Sequence, residues 1–170
     1  MRPEPLDILP RRKLLAFVRM HPGAHLRELE RGSGLAVGVL RHHLDYLVAA
    51  GLVREERDGR LRRVFPEGLD PELRAALPAL RVRSHRAVVL HLLNHEGAGA
   101  RDASEALRIP LRTTSYYLRA LVKAGLVLRE KMGYSLSDPE RIVRALVAFN
   151  PSFADKLVDA ALEIWFEGGA

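Results

Sequence analysis

Leu35 to Val53, LAVGVLRHHLDYLVAAGLV, returns without a gap as Ile109 to Val127, IPLRTTSYYLRALVKAGLV, at a constant offset of 74 positions. Leu44, Leu47, Val48, Ala50, Gly51, Leu52 and Val53 meet identical residues at Leu118, Leu121, Val122, Ala124, Gly125, Leu126 and Val127. Such agreement in one register is the mark of a single structural unit used twice. The 170 residues are therefore expected to form two small units rather than one large core.

Each copy reads as a helix that stops at a glycine and runs into a strand. Leu40, His43, Leu44 and Leu47 recur at steps of three and four, the period of a helix with one buried stripe. Gly51 and Gly125 stand where a left-handed helix cap is wanted, and the Leu-Val pair after each begins a strand that reaches a turn at Asp58-Gly59 or Met132-Gly133. Ahead of these segments, helices are expected over Leu9 to Met20 and about Ala24 to Arg31 in the first unit. The second unit should match them with His85 to Asn94, capped by Ser84, and about Ala100 to Arg108. The order helix, helix, turn, helix, strand, turn, strand is that of a winged helix, whose third helix enters the major groove of DNA.

The spacing thus predicts a mainly α chain with small β wings. Two tandem winged-helix domains are expected at 1–66 and 84–137, with a linker helix at 67–83 and a C-terminal helical pair at 138–170. Asp70-Pro71 should cap the linker helix, which Pro78 is expected to interrupt; Asp138-Pro139 and Asn150-Pro151 should each open a further helix. The last of these carries Phe153, Leu157, Ala161, Leu162, Trp165 and Phe166 on one wide apolar stripe, which fits equally packing on its own chain and a homodimer contact.

Charge narrows the function. Net charge is +6, with 13 Lys+Arg against 10 Asp+Glu over residues 1–70, 11 against 5 over 71–137 and 3 against 6 over 138–170. Positive excess confined to the repeats is what a chain facing a polyanion carries. No cysteine is present, which excludes a disulfide framework and thiolate metal ligation, and no apolar run is long enough to span a membrane. A cytoplasmic protein with no membrane partner is expected. His21/His25 and His91/His95 are spaced by four but lack a carboxylate at ligand spacing, so neither metal nor cofactor is assigned. No phosphate loop or nucleophile elbow argues for an enzyme.

Outward-facing positions on the repeated helix are the candidate base readers: Val37, Arg41 and His42 in the first copy, Arg112, Thr113, Ser115, Tyr116 and Arg119 in the second. Arginine bonds guanine edges, hydroxyls bond bases or phosphates, and apolar groups meet a thymine methyl, so the second helix is the better reader. Arg54, Arg57, Arg60, Arg62 and Arg63 cluster around the first hairpin turn, and Arg129 and Lys131 flank the second; guanidinium forks suit phosphate oxygens, while Glu55, Glu56 and Asp58 among the first set offer some of them internal partners instead.

At GLAVGVLRHHLDYLVAAGLVREERDGRLRRVF and RIPLRTTSYYLRALVKAGLV the sequence resembles the winged helix-turn-helix transcriptional regulators of the ArsR/MarR-like superfamily. Over about residues 9 to 166 it is similar to their tandem archaeal form. That resemblance implies a DNA-binding regulator, often dimerised by its C-terminal helices, with reader positions at Ala36, Val37, Gly38, Val39, Arg41 and His42 and at Pro110, Leu111, Arg112, Thr113, Ser115 and Tyr116. The partner is then double-stranded DNA. A protein-interaction scaffold and a non-specific chromatin-like DNA binder are the rivals. No separate sensor domain is visible, and the sequence leaves open whether a small-molecule effector is sensed.

Overall fold

The computed structural model describes residues 8–153, with side chains to Phe149. These residues are mostly helical and carry two small antiparallel sheets. They divide into two compact units between Arg74 and Ala75. Among the described residues no helix is long and apolar enough to cross a membrane.

The first unit contains α1 (Leu9–Met20), β1 (Ala24–His25), α2 (Leu26–Ser33), α3 (Val37–Ala49), β2 (Val53–Asp58) and β3 (Leu61–Pro66). Leu14, Leu15 and Val18 of α1, Leu29 of α2 and Leu40, Leu44 and Leu47 of α3 close over Ala24, Val53 and Val64 to form its core. The helices point one apolar stripe inward, as the period of three and four requires. β2 and β3 pair from Val53 opposite Pro66 to Asp58 opposite Leu61, and β1 adds a third strand on the far side of β3.

The second unit contains α5 (Arg83–Asn94), α6 (Ala100–Leu107), α7 (Leu111–Lys123), β4 (Val127–Arg129), β5 (Tyr134–Leu136) and α8 (Pro139–Phe153). The same hydrogen bonds close it. Gly51 N–H donates to Val48 O and Leu52 N–H to Leu47 O, each at 3.0 Å; Gly125 N–H to Val122 O and Leu126 N–H to Leu121 O do the same at 3.0 Å. Both glycines are left-handed, at φ 67° and 73°, a geometry that favours a residue without Cβ. At the start of α2, Glu28 reaches back to the His25 N–H at 2.9 Å; at the start of α6, Asp102 reaches back to the Gly99 N–H at 2.8 Å.

Several expectations need correction. α2 begins at Leu26, because Ala24 and His25 are drawn into β1 by pairing with Val64 and Arg63. α5 is entered from Val82 and not from Ser84, which lies within its first turn. α4 (Pro71–Leu80) starts as expected, with Asp70 Oδ1 accepting from the Glu72 and Leu73 N–H groups at 2.9 Å, but it runs through Pro78. Proline removes one helical donor. Burial of Ala76, Leu77 and Leu80 on one stripe offsets that loss, and Arg81 N–H still reaches Leu77 O at 2.9 Å. α8 likewise opens at Asp138, whose Oδ1 accepts from Arg141 N–H at 2.9 Å, and continues through Asn150-Pro151 to Phe153. Leu157, Ala161, Leu162, Trp165 and Phe166 of the expected dimer contact lie outside the described residues, as does the side chain of Phe153.

Candidate nucleic-acid interface

The repeated helices α3 and α7 present their outer faces to solvent. On α3, His43, Leu40, Leu44 and Leu47 are buried, while Val37, Val39 and His42 are exposed. On α7, Thr114, Leu118 and Leu121 are buried; Arg112, Tyr116 and Arg119 are exposed, and Thr113 and Ser115 are half-buried. Thr114 is spent on the helix start, its Oγ1 donating to Ile109 O or Pro110 O at 3.3 Å. Tyr116, at 61% exposure, is a large aromatic surface left in water.

The electrostatics of the two faces differ. Around β2 and β3 most arginines are already engaged. Arg54 grips Glu67 through two hydrogen bonds of 3.0 and 2.9 Å, Arg62 lies 3.5 Å from Glu55, and Arg41 of α3 donates to the same Glu55 at 2.8 Å. Arg74 of α4 meets Glu56 at 2.7 Å. Arg63 turns inward: it is buried, its Nε lies 2.5 Å from Asp58 Oδ2 and its Nη1 donates to Gly23 O at 3.0 Å. Its place is to tie β3 to β1, which withdraws it from any phosphate. Arg57 and Arg60, at the hairpin end, are exposed and have no ion pair among the described residues.

On the second unit Arg112, Arg119, Arg129 and Lys131 are all exposed and form no ion pair among the described residues. The one acidic side chain of that hairpin, Glu130, is hydrogen-bonded by Ser135. The β4–β5 hairpin is four residues shorter than β2–β3, since Val127 pairs with Leu136 where Val53 pairs with Pro66. One cation was missed from sequence. Arg108, exposed in the turn before α7, holds a left-handed backbone at φ 53°, ψ 40°, where the first unit has Gly34 at φ 70°. The offset of 74 was the signal that could have found it.

Two buried groups, Arg11 of α1 and His43 of α3, lie within the first unit. Arg11 lies 3.5 Å over the Tyr46 ring, and burial lowers the pKa of His43, helped by the Arg11 and His42 charges. No group of three or more His, Asp or Glu able to hold a metal occurs among the described residues.

Residues 10–77 match a family described as an N-terminal HTH domain. That match takes in α1 to α3, the β2–β3 hairpin and most of α4. It is also 27% identical, over 124 residues, to an uncharacterized HTH-type transcriptional regulator of Methanocaldococcus jannaschii. That alignment takes in 72% of this chain and 31% of the relative, so the chain spans less than a third of the relative's length.

Proposed function

We propose that the protein is a sequence-specific, double-stranded-DNA-binding transcriptional regulator made of two tandem winged helices. In this reading α3 and α7 are the reader helices and the β2–β3 and β4–β5 hairpins are the wings. The observation that carries it is the set of exposed cations on α7 and its hairpin that form no ion pair among the described residues, Arg112, Arg119, Arg129 and Lys131, beside the exposed Tyr116. Unpaired surface guanidinium groups meet phosphate without first breaking an internal pair. The HTH match over 10–77 and the name of the archaeal relative support the same class, a binding protein rather than an enzyme, working in the cytoplasm.

Within it, α7 reads bases with Arg112, Thr113, Ser115, Tyr116 and Arg119, while the first unit grips phosphates with Arg57 and Arg60. A homodimer through residues 151–167 belongs to the same proposal, on the strength of the apolar stripe in their sequence. Val37 and Val39, at 45% and 48% exposure on α3, favour a second reading in which the first unit docks a protein.

Selection from a random pool of duplex DNA at two salt concentrations tests these readings. Salt-dependent retention of a roughly palindromic motif is the expected result, since a twofold dimer reads related half-sites. In that case Arg112→Ala should lose about 1 to 3 kcal/mol of discrimination at one base position, measured by competition between cognate and single-mismatch duplexes. Retention without an enriched motif would mean a chromatin-like binder. No retention at moderate salt would sink the DNA reading and favour the scaffold.

A further inference from the structure

One carboxylate stands between the third helix and the hairpin of the first unit. Glu55, on β2, gives one oxygen to Arg41 Nη1 of α3 at 2.8 Å and the other to Arg62 Nη1 of β3 at 3.5 Å. Its side chain is 19% exposed, against 36% for Arg41 and 65% for Arg62. Strand register adds a third cation. Arg57 is two residues beyond Glu55 on the same face of the hairpin and lies directly opposite Arg62. Like charges in that position repel unless an anion lies near them. Arg41 has a second acidic neighbour in Asp45, but only at 4.0 Å and on a more exposed side chain.

The second unit is built the other way. The residue at the register position of Glu55, two after the first strand residue, is Arg129, and the position matching Arg41 is Ser115. Where β4–β5 offers a cation, β2–β3 offers a carboxylate that holds two cations back.

We propose that Glu55 is a selectivity-determining residue of the DNA face: it restrains Arg41 and Arg62, so that the first unit engages only DNA whose phosphates displace the carboxylate. This rests on the DNA-binding reading above. Pairs whose arginines still reach solvent are individually weak, so displacement by a closely docked phosphate row is feasible while a loosely held duplex gains little. The restraint therefore acts mainly against generic DNA, where contacts are electrostatic and sequence-independent.

The test compares the full chain with Glu55→Gln, and with Glu55→Arg, which copies the second unit, for binding to a random-sequence duplex over a range of salt. Release of two guanidinium groups should tighten generic binding roughly fivefold or more and steepen the log–log salt dependence by about 1 to 2. Adding Arg41→Gln to Glu55→Gln should remove part of both gains. Circular dichroism checks that each variant folds, and if Glu55→Gln fails that check Glu55→Arg answers alone. Binding by the parent with an unchanged slope in the folded variant would overturn the proposal and leave the DNA reading standing. Weaker binding by the variant would overturn it too, by making Glu55 a support for Arg41. No salt-dependent binding by any of the proteins would overturn both.

Discussion

Arg108 holds a backbone conformation that L-residues with a Cβ avoid, at a cost of about 1 to 2 kcal/mol, and its exposed side chain makes no hydrogen bond or ion pair among the described residues to offset that cost. Glycine at the same turn of the first unit, Gly34, meets nothing within 4 Å of an added Cβ, so the left-handed backbone rather than crowding favours glycine there. Arg108→Gly should raise stability by about 0.5 to 1 kcal/mol, the relieved strain less the extra freedom glycine gives the unfolded chain. The urea midpoint reads the outcome, and an unchanged or lower midpoint would mean that the arginine makes compensating contacts. Residues like this are half legible from sequence. The helix stop before Ile109 follows from the turn, but the residue that bears the strain appears only when the two copies are overlaid. Arg62 and Arg63 pose the same difficulty: they read alike in sequence, yet strand alternation sends one to solvent and the other to Gly23 and Asp58.

The elements themselves were largely written in the sequence where they are amphipathic. α1, α3 and α7 follow from apolar spacing, and the ends of α3 and α7 from Gly51 and Gly125, because local periodicity and a left-handed cap are both short-range signals. β1 was not legible: it is two residues long and exists only through partners on β3, about forty positions away. The continuity of α4 through Pro78 was not legible either, since burial of a stripe outweighs a local rule against proline, and α8 likewise runs on through Pro151. The short second hairpin has its own long-range tie. Tyr134 N–H donates to Ala98 O and Gly97 N–H to Tyr134 O, each at 3.0 Å, and this brings Gly133 against the Gly97 backbone. A Cβ at Gly133 would lie 1.9 Å from Gly97 O, a clash with main chain that no side-chain rotation relieves. Gly133→Ala is therefore expected to cost about 1 to 3 kcal/mol or more and to loosen the β4–β5 hairpin. Faster amide exchange at Gly97 and Tyr134 is the measurement; unchanged protection there would show that the turn shifts aside at no cost.

At the scale of the chain, the excess of positive charge on the repeats was visible in the sequence, whereas its division into held and free cations was not, because ion pairing depends on which carboxylates folding brings near. Protonation inside the protein is a second property of the whole chain. Burial is the leading cause lowering the pKa of His43 in the first unit and of His85 and His91 in the second; Arg11 and His42 add to it at His43, and His95 at His91. A backbone hydrogen bond at Ala79 partly opposes the shift at His85, and Asp102 does so at His91. Each folded-state pKa lies below the unfolded value of about 6.5, so between the two values the unfolded chain binds more protons. Stability is then flat above about pH 7 and falls as pH drops through about 6.5 towards the folded-state values, by no more than about 1.4 kcal/mol per pH unit for each histidine. Few carboxylates titrate above pH 5, so urea midpoints at pH 7.5 and 5.5 isolate the histidines. The midpoint should be lower at pH 5.5, and His43→Gln should shrink the difference by removing one of the three groups. Equal midpoints at the two pH values would show that these imidazoles accept protons in place, with Arg11 and the helix cores yielding to the added charge.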